Sequence, residues 1–95
     1  MLTWPYKDPD ELLDYIVDWR QRIGHSDSII SSSWELVNGT ANNDPTITSN
    51  SYSNTTTTIW IGGGANNQTY IFKNQVTTTA GRIFDQSVQL KVMDK

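Results

Sequence analysis

The sequence has no cysteine, one histidine and only seven lysines and arginines. Without cysteine, no disulfide can replace missing core area and no thiolate metal site can form. A single histidine leaves no pair for the usual zinc sites. As the base of a Ser-His-Asp arrangement it would have to be His25, which lies in Gly24-His25-Ser26-Asp27-Ser28, a stretch that reads as a solvated turn. The basic residues are scattered, the net charge is −3 and the pI is about 4.7, so no positive surface is available to neutralise phosphates and nucleic acid is not an expected partner. No apolar run exceeds three residues, which excludes a helical membrane span, and the opening Met-Leu-Thr-Trp-Pro has no basic or apolar leader pattern. Synthesis in a reducing cytoplasm without export is the expectation.

What is present is one small domain's worth of chain, 95 residues expected to fold as a single unit over 1–95, with 1–6 as an N-terminal extension. A multi-domain enzyme is excluded by length. At this size folding buries only about 60–65% of the unfolded chain's surface, which favours help from a partner or from self-association. Four Trp and four Tyr supply anchors for burial, although only 18% of residues are charged. Ser, Thr and Asn fill 29 positions, including Ser31-Ser32-Ser33, Thr55-Thr56-Thr57-Thr58 and Thr77-Thr78-Thr79. β-Branched Thr favours strands, and Ser and Asn compete with helical hydrogen bonds.

From Ile29 onward apolar residues recur at every second position, and turn residues interrupt at intervals of roughly eight to twelve, the pattern of short antiparallel strands. Ile30, Ser32, Trp34 and Leu36 share one face of a strand ending at Asn38-Gly39. Another begins at Ile47 and ends near Tyr52-Ser53-Asn54. Thr57, Ile59 and Ile61 face one way, Thr56, Thr58 and Trp60 the other, and Gly62-Gly63-Gly64 ends that strand. The last two strands form a hairpin: Tyr70, Phe72, Asn74 and Val76 on one arm and Phe84, Gln86, Val88, Leu90 and Val92 on the other keep a period of two. Thr79-Ala80-Gly81-Arg82 turns between them with Gly81 left-handed.

The first quarter admits two readings. Asp8-Pro9-Asp10-Glu11 is a helix start with Leu12, Ile16, Trp19 and Ile23 on one stripe, whereas Leu13, Tyr15, Val17 and Trp19 alternate as a strand. Closing two sheets needs about seven strands and the rest of the chain supplies five or six, which decides for a strand around Leu13–Trp19. The expected fold is an all-β immunoglobulin- or fibronectin III-like sandwich of about seven strands. Trp19 and Trp34 are its candidate central packing residues, and Tyr70 stands where a tyrosine corner would.

Chemistry is sparse. Asp8, Asp10, Glu11, Asp14 and Asp18 could hold Ca²⁺ or act as an acid–base pair, but the Asp-x-Asp-x-Asp-Gly spacing of a calcium loop is absent and a solvated acidic face is the simpler reading. Gly62-Gly63-Gly64 lacks the Lys-Ser/Thr of a phosphate loop. Three Asn-x-Ser/Thr triplets, at Asn38, Asn54 and Asn67, stand against the two or so that chance gives at this composition. No catalytic, cofactor or metal residue is assigned. What remains is contact surface: Trp60 on the outer face of its strand beside Thr56 and Thr58, and Trp4 and Tyr6 ahead of the folded body. The bland alternative packs Trp60 under a loop and plugs the sandwich end with Trp4. The Thr-rich strand is also a candidate edge for strand addition.

Two stretches carry a resemblance. Lys7-Asp8-Pro9-Asp10-Glu11-Leu12-Leu13-Asp14-Tyr15-Ile16-Val17-Asp18-Trp19 with Asp27-Ser28-Ile29-Ile30-Ser31-Ser32-Ser33-Trp34 resembles the opening of small Ig-like virion proteins of tailed bacteriophages. Thr57-Thr58-Ile59-Trp60-Ile61, Thr69-Tyr70, Asn74-Gln75-Val76-Thr77-Thr78 and Gly81-Arg82 through Val88-Gln89-Leu90-Lys91-Val92 resemble their latter half. The resemblance implies a neck, tail or fibre–tail adaptor component, with the acidic first segment as a strand. Its implied partners are other phage structural proteins in a multi-copy assembly, with no nucleic acid and no membrane. A carbohydrate-binding module and a capsid decoration protein are the alternatives, with an enzyme third.

Overall fold

The period-two pattern becomes seven strands and one helical turn in a computed structural model that describes residues 2–40 and 42–94. In chain order these are β1 (Leu2–Thr3), β2 (Leu12–Asp18), α1 (Arg20–Ile23), β3 (Ile29–Leu36), β4 (Thr46–Tyr52), β5 (Thr56–Gly62), β6 (Gln68–Thr78) and β7 (Ile83–Val92). They form a four-stranded sheet, β1-β7-β6-β3, facing a three-stranded sheet, β2-β5-β4. Every pairing is antiparallel except β1 with β7, where Leu2 lies opposite Val88. The protein is an immunoglobulin/fibronectin III-like β-sandwich.

The ambiguous first quarter is a strand, for a reason visible in its turn. Asp8 Oδ1 accepts the Asp10 N–H at 2.8 Å, Glu11 Oε1 accepts the Asp8 N–H at 2.7 Å, and the Glu11 N–H reaches the Asp8 carbonyl at 3.0 Å. These are the bonds of a helix start, used here to close a turn. Beyond it Tyr15 and Val17 are buried while Leu12, Asp14, Ile16 and Asp18 are exposed, so burial at period two overrides the local helix signal.

Both long strands of the hairpin bury alternate residues: Tyr70, Phe72, Asn74 and Val76 on β6, and Val88, Leu90 and Val92 on β7. Gly81, at φ 82°, turns the chain, and its N–H returns to the Thr78 carbonyl at 2.9 Å. The Tyr70 hydroxyl accepts the Ala65 N–H at 3.0 Å, tying the strand's start to the loop upstream in the manner of a tyrosine corner.

Two expectations are corrected. Residues 2–6 do not stand ahead of the folded body: after β1, the Trp4 N–H bonds the Gln89 carbonyl at 2.9 Å and the Lys7 N–H the Lys91 carbonyl at 3.1 Å, so the chain runs beside β7. Trp4 is a core residue, stacked on Tyr15 with ring centroids 4.7 Å apart. Lys7 is fully buried, its Nζ donating to the carbonyls of Asp8 at 2.9 Å and Gly63 at 2.6 Å. The second concerns Ile30, which does not share the inward face of Ser32, Trp34 and Leu36. A register shift between Ile29 and Ser31 buries Ile29 and turns Ile30 to solvent.

The two tryptophans named for the core differ in how they are held. Trp19 is buried, and its Nε1 donates to Thr57 Oγ1 at 3.2 Å and Asn74 Oδ1 at 3.1 Å. Trp34 is half-buried, and its Nε1 is shielded from solvent with no partner among the described residues. Trp19→Phe is therefore expected to cost about 2 kcal/mol, by opening a gap and depriving buried acceptors of a donor. Trp34→Phe removes an unpaired donor along with packing, and is expected to cost under about 1 kcal/mol. Urea melts of the two variants check the difference, and equal losses would refute it.

Candidate interaction surface

Antiparallel pairing sets which outward side chains of the three-stranded sheet become neighbours. Asp14 lies directly opposite Trp60, Ile16 opposite Thr58, Asp18 opposite Thr56 and Leu12 opposite Gly62. On the other side of β5, Ser49 faces Trp60 and Ser51 faces Thr58. Because directly opposed residues point to the same face, Leu12, Ile16 and Trp60 form one apolar group with Asp14 among them and small polar residues along its β4 side. Leu12 and Ile16 are more than half exposed and Trp60 is 39% exposed, whereas Ile59 and Ile61 beneath it are fully buried.

The expected contact residues therefore separate. Trp60, Thr56 and Thr58 share this face, Thr56 and Thr58 being half-buried; Tyr6 is exposed; Trp4 is withdrawn into the core. The Thr-rich strand is not an edge, because β5 is the centre of its sheet and pairs with β2 and β4 on both sides. It offers side chains, not backbone. Leu12 and Ile16 are not among the contact residues expected from sequence. Their signal was the phase of β2, where they alternate against buried Tyr15 and Val17, but their meeting with Trp60 depends on a β2–β5 register that no local pattern encodes.

Several other polar groups are engaged structurally. Asp18 holds Arg20 through both carboxylate oxygens, with Nη2 2.7 Å from Oδ2, and the guanidinium keeps the Asp18 carboxyl below the usual range. Burial, with a smaller contribution from Glu11, pushes the Tyr15 hydroxyl up to about 12. His25 is exposed between α1 and β3. Among the described residues no three His, Asp or Glu side chains converge as metal ligands.

Comparison with known proteins identifies the family and the fold. A family model described as podophage GP4 fiber-tail adaptor protein gp77 matches residues 7–91. The PKD domain from KIAA 1837 protein, a solution structure, shares the fold with a TM-score of 0.52 at 22% identity, over 99% of this chain and 78% of that one. No curated protein matches.

Proposed function

The chain belongs to the podophage GP4 fiber-tail adaptor family, and from that premise we propose that it is a non-enzymatic structural component of a tailed-phage virion, bridging tail or neck to fibres through protein–protein contacts. In this reading it is made in the bacterial host cytoplasm as one Ig-like domain, is assembled in several copies, and contacts neither nucleic acid nor membrane. The observation that carries the proposal is the Leu12–Ile16–Trp60 group lying open on a sheet whose inner face is already packed. Such a group gains about 25 cal/mol for each Å² of apolar surface that a partner covers, and aromatic anchors of this kind concentrate binding energy.

The test is Trp60→Ser combined with Ile16→Ser. Both side chains point outward, so the Tm is expected to stay within a few degrees. Phage complemented with the variant gene are expected to yield at least tenfold fewer fibre-bearing particles, the loss that removing two buried anchors implies. Normal incorporation of the variant, or purified virions lacking the polypeptide, would overturn the reading. Trp60 flanked by Asp14 and Ser49 also has the form of a sugar-stacking platform. Glycan binding lost in Trp60→Ala would favour that alternative, and localisation on capsid faces would favour a decoration role.

A further inference from the structure

The pairing that gathers Leu12, Ile16 and Trp60 also sets a carboxylate at the middle of the group. Asp14 lies between Leu12 and Ile16 on the outward face of β2 and directly opposite Trp60 on β5, and all four are exposed. Residues two apart on one strand face stand about 7 Å from each other and directly opposed ones about 5 Å, so Asp14 is within side-chain reach of all three.

Asp14 differs from two other outward carboxylates. Asp18 holds Arg20 at 2.7 Å and Glu35 holds Lys73 at 3.1 Å, whereas Asp14 has no ion pair and no side-chain hydrogen bond among the described residues. The other described cations are placed elsewhere: Arg82 pairs with Asp27, Lys7 is buried, Arg22 rests over Trp19 and Phe84, 5.1 and 5.2 Å from the ring centroids, and Lys91 belongs to the opposite sheet. A second copy laid on this face about a two-fold axis would present the same acidic patch to Asp14, which opposes like charges.

While the face is open, water solvates Asp14. A partner that covers Trp60 together with Leu12 and Ile16 covers Asp14 as well, and an ionised carboxylate shut away without a counter-charge is strongly unfavourable. We propose that the partner seated on this face is a protein surface presenting an arginine within an apolar patch. Its guanidinium stacks on the Trp60 indole and pairs with the Asp14 carboxylate, while its apolar neighbours cover Leu12 and Ile16. Arginine suits the pair better than lysine, because its planar fork binds a carboxylate through two N–H groups and lies flat on an aromatic ring. The proposal rests on the reading of this face as the contact surface and adds the charge of what it contacts.

The test complements phage lacking the gene with variants of the full chain and counts fibre-bearing particles by electron microscopy. Asp14→Asn keeps the shape and a hydrogen-bonding oxygen but not the charge. It is expected to lower the count at least tenfold, and Asp14→Lys to lower it further, because a covered guanidinium is then left unpaired or opposed. Asp14→Glu, which keeps the charge, is expected to stay within about threefold of wild type. The Asp14 side chain is exposed, so the Tm of each variant is expected to hold within a few degrees. Wild-type counts for Asp14→Asn beside a loss in Trp60→Ser/Ile16→Ser would overturn the cationic partner and leave the contact face standing, whereas wild-type counts for both would overturn the face too. A gain in Asp14→Lys would mean an acidic partner, and equal losses in Asp14→Glu and Asp14→Asn a need for shape instead of charge; either overturns the proposal. The purified chain is expected to sediment alike with and without Trp60→Ser, and self-association abolished by that change would make the occupant a second copy and overturn it as well.

Discussion

Replacing Asn74 with leucine is expected to remove about 3–5 kcal/mol of stability, a large share of the 5–15 kcal/mol that holds a domain of this kind folded. Leucine matches asparagine in branching and heavy-atom count but is larger, so the loss combines the missing hydrogen bonds with some overpacking at a fully buried site. Asn74 is fully buried, and all four capacities of its amide are used. Its Oδ1 accepts Trp19 Nε1 at 3.1 Å and the Thr57 hydroxyl at 2.6 Å, and its Nδ2 donates to Ser32 Oγ and to the Ser33 carbonyl, both at 2.9 Å. One side chain on β6 thus joins its neighbour β3 to β5 and the end of β2 in the opposite sheet. Removing it leaves the Thr57 hydroxyl short of a partner where water cannot replace it, and takes a donor from the Ser33 carbonyl at the part-buried side of the network.

A double-mutant cycle separates this account from simple repacking. Thr57→Val removes the hydroxyl that Asn74 accepts, so the double variant Thr57→Val/Asn74→Leu is expected to lose less than the sum of the two single losses, by about 1 kcal/mol or more. Additive losses, or an Asn74→Leu cost under about 1 kcal/mol by urea melts, would show that the network contributes no more than its volume.

That Asn74 and Thr57 face inward is legible in the sequence, since each falls in phase with buried apolar neighbours: Asn74 with Phe72 and Val76, Thr57 with Ile59 and Ile61. Their partners are not legible, because Trp19 lies 55 residues from Asn74 in the chain and reaches it only across two sheets. The same division runs through the fold. Strands whose apolar residues repeat often enough to set a period, such as β6 and β7, are read nearly to their ends. β1 has two residues, too few for any period, and is held by non-local pairing with Val88 and Gln89. Ile30 continues the apparent period of β3, but a bulge is a property of the paired strands and leaves no mark in one of them. Trp4 looks detached because Pro5 follows it, yet its burial depends on Tyr15, Trp34 and Phe72, three rings from three other strands. The candidate surface divides likewise: Trp60 is visible as an outward residue, whereas its meeting with Leu12 and Ile16 follows from the register between β2 and β5, strands distant in sequence.

Asp27→Asn is expected to lower the Tm at neutral pH by roughly 10 °C and to flatten the fall of Tm in acid. The carboxylate is almost wholly shielded, with 2% of its side chain exposed, and is held by the Thr78 hydroxyl and five further donors. Oδ1 accepts the Ser28 N–H at 2.9 Å, the Thr79 hydroxyl at 2.7 Å and the Ala80 N–H at 3.0 Å, while Oδ2 accepts Arg82 Nε at 3.1 Å and Nη2 at 2.8 Å. Arg82 Nη2 also donates to the Ile23 carbonyl at 2.6 Å, so the end of α1 and the start of β3 are fastened to the β6–β7 turn through this one acid. Hydroxyl donation from Thr78, then from Thr79, with the Arg82 guanidinium and the Ala80 N–H, outweighs burial and holds the Asp27 carboxyl well below the carboxylate range. A group depressed in the folded state binds fewer protons there than in the unfolded chain. Its stabilisation is therefore complete above the ordinary value near 3.8 and is lost as pH falls through the folded value. Wild-type and Asp27→Asn melting curves, recorded from neutral pH down to about pH 2, should then converge as acid is added, with most of the narrowing below about pH 4. A gap that stays constant over that range would mean that the asparagine is penalised by its shape alone. No gap at neutral pH would mean that these donors find water as readily as they find Asp27.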